Sequence, residues 1–178
     1  LRKAGLNCQI LILGNLINSE ELYSSFYWDL IPTISCIREA IICNNIAENN
    51  HKKFVIHLKV DTGMTRLGSS CDEVHELVTK IDSLTSISLE GIYSHLASAD
   101  SDPLNQSHMS FTQIQLNRFE KVLNDLGERS NLLCRHLANS AGTLADMRLH
   151  FDMVRVGLSL YGYSPINNFE SELNLKPA

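Results

Sequence analysis

The 178 residues amount to about one domain at roughly 150 residues per domain. Hydrophobic residues at 44% and charged residues at 20% are ordinary for a globular chain and exclude intrinsic disorder, a collagen-like repeat and a coiled coil. A formal net charge of −5 disfavours a nucleic-acid or anionic-membrane partner, and no apolar run reaches the roughly 18 residues of a membrane span.

In chain order, Leu1-Arg2-Lys3-Ala4-Gly5 reads as helix, and Gln9-Ile10-Leu11-Ile12-Leu13 as a strand buried on both faces and closed by Gly14-Asn15. Leu30-Ile31-Pro32-Thr33-Ile34 is a short strand, expected to be the weakest because proline lacks a ladder donor. Residues 35–47 are helical with Ile37, Ala40 and Ile41 inward, and Phe54 to Asp61 alternates strictly as a strand. Ser70-x-x-Glu73 forms a capping box ahead of Val74, Leu77, Val78 and Ile81, the stripe of a core-facing helix. Ser88 to Leu96 is the next strand; Phe119, Val122, Leu123 and Leu126 make a second stripe, capped by Gly127. Cys134 to Asn139 and Met153 to Gly157 complete six predicted strands.

Strands separated by helices indicate parallel βα units. No G-x-G-x-x-G follows the first strand, which disfavours a dinucleotide fold. A complete (β/α)8 barrel takes about 250 residues; six units match a partial (β/α)8 TIM-type barrel lacking its first two strands. The chain starts at Leu1 and ends at Ala178 with no closing element, so a segment of a longer protein is expected. Five cysteines without a C-x-x-C pair read as free thiols of a reducing cytoplasm, and the histidines include no H-x-x-x-H or H-E-x-x-H metal motif.

The chemistry concentrates where strands end. On Phe54–Asp61 the two-residue period puts Val55, His57, Lys59 and Asp61 on one face, lumenal in a barrel, and the strand runs into a loop carrying Arg66. His95 and Arg155 also fall near strand C-termini, the mouth where barrel ligands bind. A lone histidine can equally be a structural hydrogen-bonding residue, and Arg155 can pair with Asp152. Met153, Arg155 and Gly157 would share one strand face, with Val154 and Val156 towards the helices. Asn139-Ser140-Ala141-Gly142 and Gly157-Leu158-Ser159 are small-residue turns that let backbone amides approach a phosphate. Polar groups at successive strand ends point to one mouth and an anionic ligand.

Four segments, His57 to Gly68, Gly91 to Asp100, His136 to Ala141 and Val154 to Gly162, resemble alanine racemases in order and spacing. The region around Thr33 fits too, so the resemblance spans essentially the whole chain. Related pyridoxal-phosphate barrels, including amino-acid decarboxylases, do not usually carry both the first and the last motif. The resemblance implies a pyridoxal 5'-phosphate barrel domain over residues 1–178, leading after about residue 172 into a β-rich domain, in a cytoplasmic head-to-tail homodimer that interconverts L- and D-alanine for peptidoglycan. It implies that Arg66 holds the cofactor's phenolic oxygen and approaches the substrate carboxylate, that Lys59 is carbamylated, that Arg155 pairs with the pyridine nitrogen, and that His95 hydrogen-bonds Arg155. Ser140, with the backbone of Gly157 and Leu158, would bind the phosphate, and Asn139 would line the same pocket.

Physical chemistry agrees with these roles. Lysine and arginine side by side in a poorly solvated lumen repel, and a carbamate would convert Lys59 into an anion that orients the Arg66 guanidinium. Arginine stays protonated and does not pass its proton to the ring, which keeps the pyridine a weak electron sink suited to racemisation. The family's Schiff-base lysine, in a K-A-N-A-Y-G-type motif, and its tyrosine base are both absent from these residues, and Lys3-Ala4-Gly5 cannot replace the former. The isolated stretch is therefore expected to be inactive. Rival readings are a serine or lysine racemase of the same fold, and a stand-alone pyridoxal-phosphate-binding module.

Overall fold

The computed structural model describes residues 1–102, 104, 109–166 and 176. Its sheet runs β1 (Leu11–Asn15), β2 (Ile31–Ile34), β3 (Phe54–Asp61), β5 (Ile87–Tyr93), β6 (Cys134–His136), with the two-residue β4 (Ser69–Ser70) attached to β3. Every pairing is parallel. The helices α1 (Ser19–Tyr27), α2 (Ile37–Asn49), α3 (Val74–Asp82) and α4 (Phe111–Asp125) make the crossovers, and α5 (Ser140–Ala145) follows β6. Ile56, Leu58 and Val60 on β3 meet Leu22, Ala40, Cys43, Val74, Val78, Ile81 and Phe119 in one buried core. Among the described residues no helix is long and apolar enough to cross a membrane.

Several elements differ from their sequence reading. Residues 1–5 hold only a 3-10 turn, Arg2–Ala4. The strand expected to be buried on both faces, β1, has β2 as its one neighbour among the described residues and leaves Leu13 46% exposed. Its partner β2, expected to be weakest, lies between β1 and β3 and is buried throughout. Pro32 is tolerated because Ile31 N donates to Ile10 O and the pairs with β3 begin only at Thr33.

Two helix details also change. Ile41 lies on the exposed side of α2. The Ser70 capping box does not form: a 3-10 turn at Cys71–Glu73 intervenes, and the Ser70 side chain makes no capping bond. Helix α1 was not predicted, yet Asn18 and Glu21 encode its start. Asn18 Oδ1 accepts from Glu21 N at 2.8 Å while Glu21 Oε2 accepts from Ile17 N at 3.1 Å.

The largest correction concerns residues 153–157, which form no strand. Asp152 N donates to Arg135 O and Arg155 N to Ala138 O, so the segment runs beside β6. No strand pairs its other edge among the described residues, and the ladder stops there. Val156 is exposed rather than packed on a helix, whereas Val154 packs against the core. The expected passage into a β-rich domain after about residue 172 lies outside the described residues.

Candidate active site

The C-terminal ends of β3, β5 and β6 carry the polar cluster. At the end of β3, Asp61 Oδ1 accepts from Gly63 N at 2.9 Å and Thr65 N at 3.0 Å, folding the loop back on itself. Gly68 returns the loop with φ +128°, and a Cβ there would stand 2.6 Å from Asp61 N. Helix α4 fastens the same loop. Buried Gln115 donates to Thr62 Oγ1 at 3.1 Å and to His95 O at 2.9 Å, and accepts from Ala97 N at 2.9 Å. Arg118 donates to Thr62 O at 2.9 Å, and Thr62 Oγ1 lies 2.7 Å from Ser94 Oγ. Arg66, on this loop, is exposed.

Lys59 is 4% exposed on β3. Its Nζ sits 5.8 Å from the centre of the Tyr93 ring. Burial lowers its pKa, and the charges of Arg66 and Arg155 lower it further, against a weaker opposing pull from Asp61.

Arg155 is held from several directions. Nη1 lies 2.8 Å from His136 Nδ1; Nη2 donates to Ser94 O at 2.6 Å and Leu137 O at 3.0 Å, and lies 3.4 Å from His95 Nδ1. The guanidinium carbon stands 4.9 Å from the Tyr93 ring centre. Burial lowers its pKa to about 10, so it remains a cation at neutral pH. The alternative partner Asp152 is taken by Arg135, whose Nε lies 2.7 Å from Asp152 Oδ2. Arg155 Nε is buried without a hydrogen-bond partner among the described residues.

Beyond Arg155 the chain enters a cradle of amides. Ser140 Oγ accepts from Gly157 N at 2.9 Å and Ser159 N at 3.3 Å. Among the described residues, a Cβ on Gly157 would meet no atom within 4 Å, and Ser159 Oγ is buried without a partner. Leu158 opens a 3-10 turn, Leu158–Tyr161. Asn139 caps α5: its Oδ1 accepts from Gly142 N at 2.9 Å and its Nδ2 donates to Leu96 O at 3.2 Å. Both ends of that side chain are thus engaged by the protein itself.

The fold therefore gathers the side chains of Lys59, Arg66 and Arg155 around His95, whose pKa burial and then their charges lower. It joins Ser140 to Gly157, two residues beyond Arg155. Sequence reasoning missed the residues behind them. His57 had a lumenal position but no role, and His136 and Tyr93 lay in matched motifs without one. His136 stacks on Tyr93 with ring centres 4.6 Å apart at 10°, and Tyr93 Oη lies 2.9 Å from Thr33 Oγ1. Gln115 carried no signal beyond its place on the helix.

The buried histidines give the protein an acid-sensitive stability. Desolvation lowers His57 from an ordinary 6.5 to about 4; for His136, desolvation and the Arg155 charge lower it to about 2. Above pH 6.5 both states are neutral and nothing is lost. Below it the unfolded chain binds two protons that the folded chain refuses, so stability falls as pH falls. Near pH 5 these two groups contribute a slope of about 2.7 kcal/mol per pH unit at about 1.36 each, and His95, lowered to about 4 by burial and the neighbouring cations, brings the total to about 4. Urea unfolding between pH 7 and 4.5 checks this, and replacing His57 with Gln should remove about a third of the slope.

Comparison with known proteins shows the family. The family model for the alanine racemase N-terminal domain matches residues 1–165. Alanine racemase of Prochlorococcus marinus is 55% identical over 178 residues, covering 100% of this chain and 46% of that protein. The Nostoc enzyme is 40% identical over 99% of the chain and 45% of its own length. Among solved structures, alanine racemase of Clostridium difficile superposes with a TM-score of 0.88 at 30% identity, over 99% of this chain and 48% of that one. The chain thus spans under half the length of these relatives, and the sheet is the expected partial barrel. By sequence and by fold, these 178 residues belong to the alanine racemase N-terminal domain family.

Proposed function

We propose that these residues are the larger part of the barrel of a pyridoxal-phosphate-dependent alanine racemase. The reading is carried by a cationic cluster beside an amide cradle held by Ser140 Oγ. Among the described residues, Arg155 Nε and Ser159 Oγ are buried polar atoms lacking partners, and open space lies at Gly157. This fits a flat, anionic ligand that takes hydrogen bonds at both ends. Pyridoxal 5'-phosphate, when bound, supplies the electron-withdrawing ring that acidifies the α-hydrogen of an amino acid.

This chain's residues would hold that group. Ser140 Oγ and the Gly157 and Ser159 amides would bind the phosphate, with Leu158 continuing the backbone cradle. Asn139, already engaged at both ends, fixes the Ser140 turn. Arg155 would face the ring nitrogen as a permanent donor that gives up no proton. His95, burdened by neighbouring cations and lowered to about 4 by burial first, stays neutral and can accept from Arg155 Nη2. Arg66 would draw in the substrate carboxylate. The substrate is a small amino acid, and the assembly a cytoplasmic homodimer in which a further β-rich domain contributes the second base.

A full-length protein containing these residues should interconvert L- and D-alanine when loaded with pyridoxal phosphate, followed by a coupled D-amino-acid oxidase assay. The 178 residues produced alone should form no D-alanine, because the family's lysine motif and tyrosine base lie outside them. A full-length protein that binds the cofactor yet racemises serine or lysine in preference, or not at all, would overturn the assignment.

Lys59 would carry a carbamate in that enzyme. Its amine is buried beside two guanidinium groups, and its lowered pKa enlarges the fraction of neutral, nucleophilic amine. The amine nitrogen attacks carbon dioxide, a proton leaves, and the product is an anion between cations. ¹³C-bicarbonate should give a carbamate resonance that Lys59→Ala abolishes; no labelled carbamate in the wild-type protein would refute it.

A further inference from the structure

Behind the face that meets the ligand lies a buried string of imidazoles ending on Arg155. His57 on β3 stands opposite Gly91 on β5 in the strand register. A Cβ at residue 91 would fall 2.3 Å from His57 Cε1 and 2.4 Å from its Nδ1, so only glycine lets the ring lie across β5. The ring thereby reaches β6, where His57 Nδ1 comes within 3.1 Å of His136 Nε2. His136 Nδ1 in turn lies 2.8 Å from Arg155 Nη1.

The proton order in this string has one solution. A guanidinium offers only hydrogens, so His136 Nδ1 must accept. A neutral imidazole has a single N–H, which His136 therefore carries on Nε2 and donates to a bare His57 Nδ1. His136 is fully buried and His57 is 6% exposed, and burial keeps both rings neutral at neutral pH. Without an acceptor at His57, the His136 Nε2–H would be a buried orphan and the ring would lose the bond that prevents it from turning over. A donor–acceptor string also strengthens each member, so His57 makes His136 the better acceptor for Arg155.

We propose that His57, seated on Gly91, is a positioning residue for Arg155. It fixes His136 in the one tautomer able to accept from the guanidinium, and so sets the angle at which Arg155 meets the cofactor ring. This rests on the proposed role of Arg155 in a pyridoxal-phosphate racemase and adds two residues to which that reading assigns nothing.

The test uses the full-length enzyme, cofactor-loaded and cofactor-free. In the loaded enzyme His57→Leu should lower kcat about tenfold with a smaller change in KM, the size expected for one buried hydrogen bond, and should shift the absorbance of the bound cofactor. His57→Gln, whose amide oxygen can still accept, should recover most of the rate, and Gly91→Ala should reproduce the leucine variant by displacing the ring. In the cofactor-free protein, ¹⁵N-histidine spectra should show His136 protonated on Nε2, and His57→Leu should move that resonance. Equal losses in the leucine and glutamine variants with unchanged unfolding would mean that the ring only packs, and would overturn the proposal. So would a wild-type His136 protonated on Nδ1, a result that needs no variant to fold. A protein that fails to bind pyridoxal phosphate sinks the proposed function, while the cofactor-free spectra still decide the relay.

Discussion

Replacing Arg155 with glutamate in the cofactor-loaded full-length enzyme is expected to lower alanine racemisation by a factor of about 10² or more, roughly 2.7 kcal/mol at 1.36 kcal/mol per decade. The arginine holds its place through Ser94 O, Leu137 O and His136 Nδ1, and its pKa of about 10 keeps it charged across the working range. A charged donor of that kind steadies a ring nitrogen without protonating it. A carboxyl group can share a proton with the nitrogen, making the ring a stronger electron sink and favouring side reactions over faithful return of the proton. Slow transamination of alanine and a new visible absorbance should therefore accompany the loss of rate. His136 would have to adapt as well, because its Nδ1 would face a carboxyl group in place of a permanent donor. A glutamate variant that racemises alanine at the wild-type rate, with an unchanged spectrum, would remove Arg155 from the ring.

What the sequence discloses and what it hides follow a physical division. The strictly alternating Phe54–Asp61 announces β3, and its two-residue period alone puts His57 and Lys59 on the lumenal row. Apolar stripes announce α3 and the second half of α4, since both bury one face against the same core. Pairings across the sheet have no such local trace. The contact of His57 with His136 joins residues 79 positions apart and depends on the empty side of Gly91, which becomes visible only once the β3–β5 register is known. Gln115 likewise looks like any polar helix residue until β3 and the His95 segment are seen beside it. Residues 153–157 mislead for the opposite reason. Their β-branched pattern is strand-like, but a parallel ladder needs bonds repeating every two residues, and here the backbone donors towards the β6 side are Asp152 N and Arg155 N, three residues apart. Ser140-Ala141-Gly142 has the small residues of a turn, and it is also the first turn of α5, for which Asn139 is the cap.

Replacing Ser140 with aspartate should weaken pyridoxal-phosphate binding by about 100-fold or more, again roughly 2.7 kcal/mol at 1.36 kcal/mol per decade. In the structure the Ser140 hydroxyl oxygen accepts from the amides of Gly157 and Ser159, the very donors a phosphate would require. A hydroxyl can yield those amides and turn its own hydrogen towards the incoming oxygen, because it is both acceptor and donor. A carboxylate cannot: it accepts only, keeps the two amides for itself, and repels a dianion at close range. The protein itself should tolerate the change, since position 140 is the first residue of α5, where a negative side chain is favourable. Unfolding should therefore be little altered while the cofactor is lost, and Ser140→Ala, which removes the donor without adding charge, should cost about tenfold. The measurement is a titration of cofactor-free enzyme with pyridoxal phosphate, read by absorbance and by the recovery of racemisation. If the aspartate variant fills at wild-type concentrations, the phosphate does not sit in the cradle of Ser140, Gly157 and Ser159, and the cofactor would have to lie elsewhere along the strand ends.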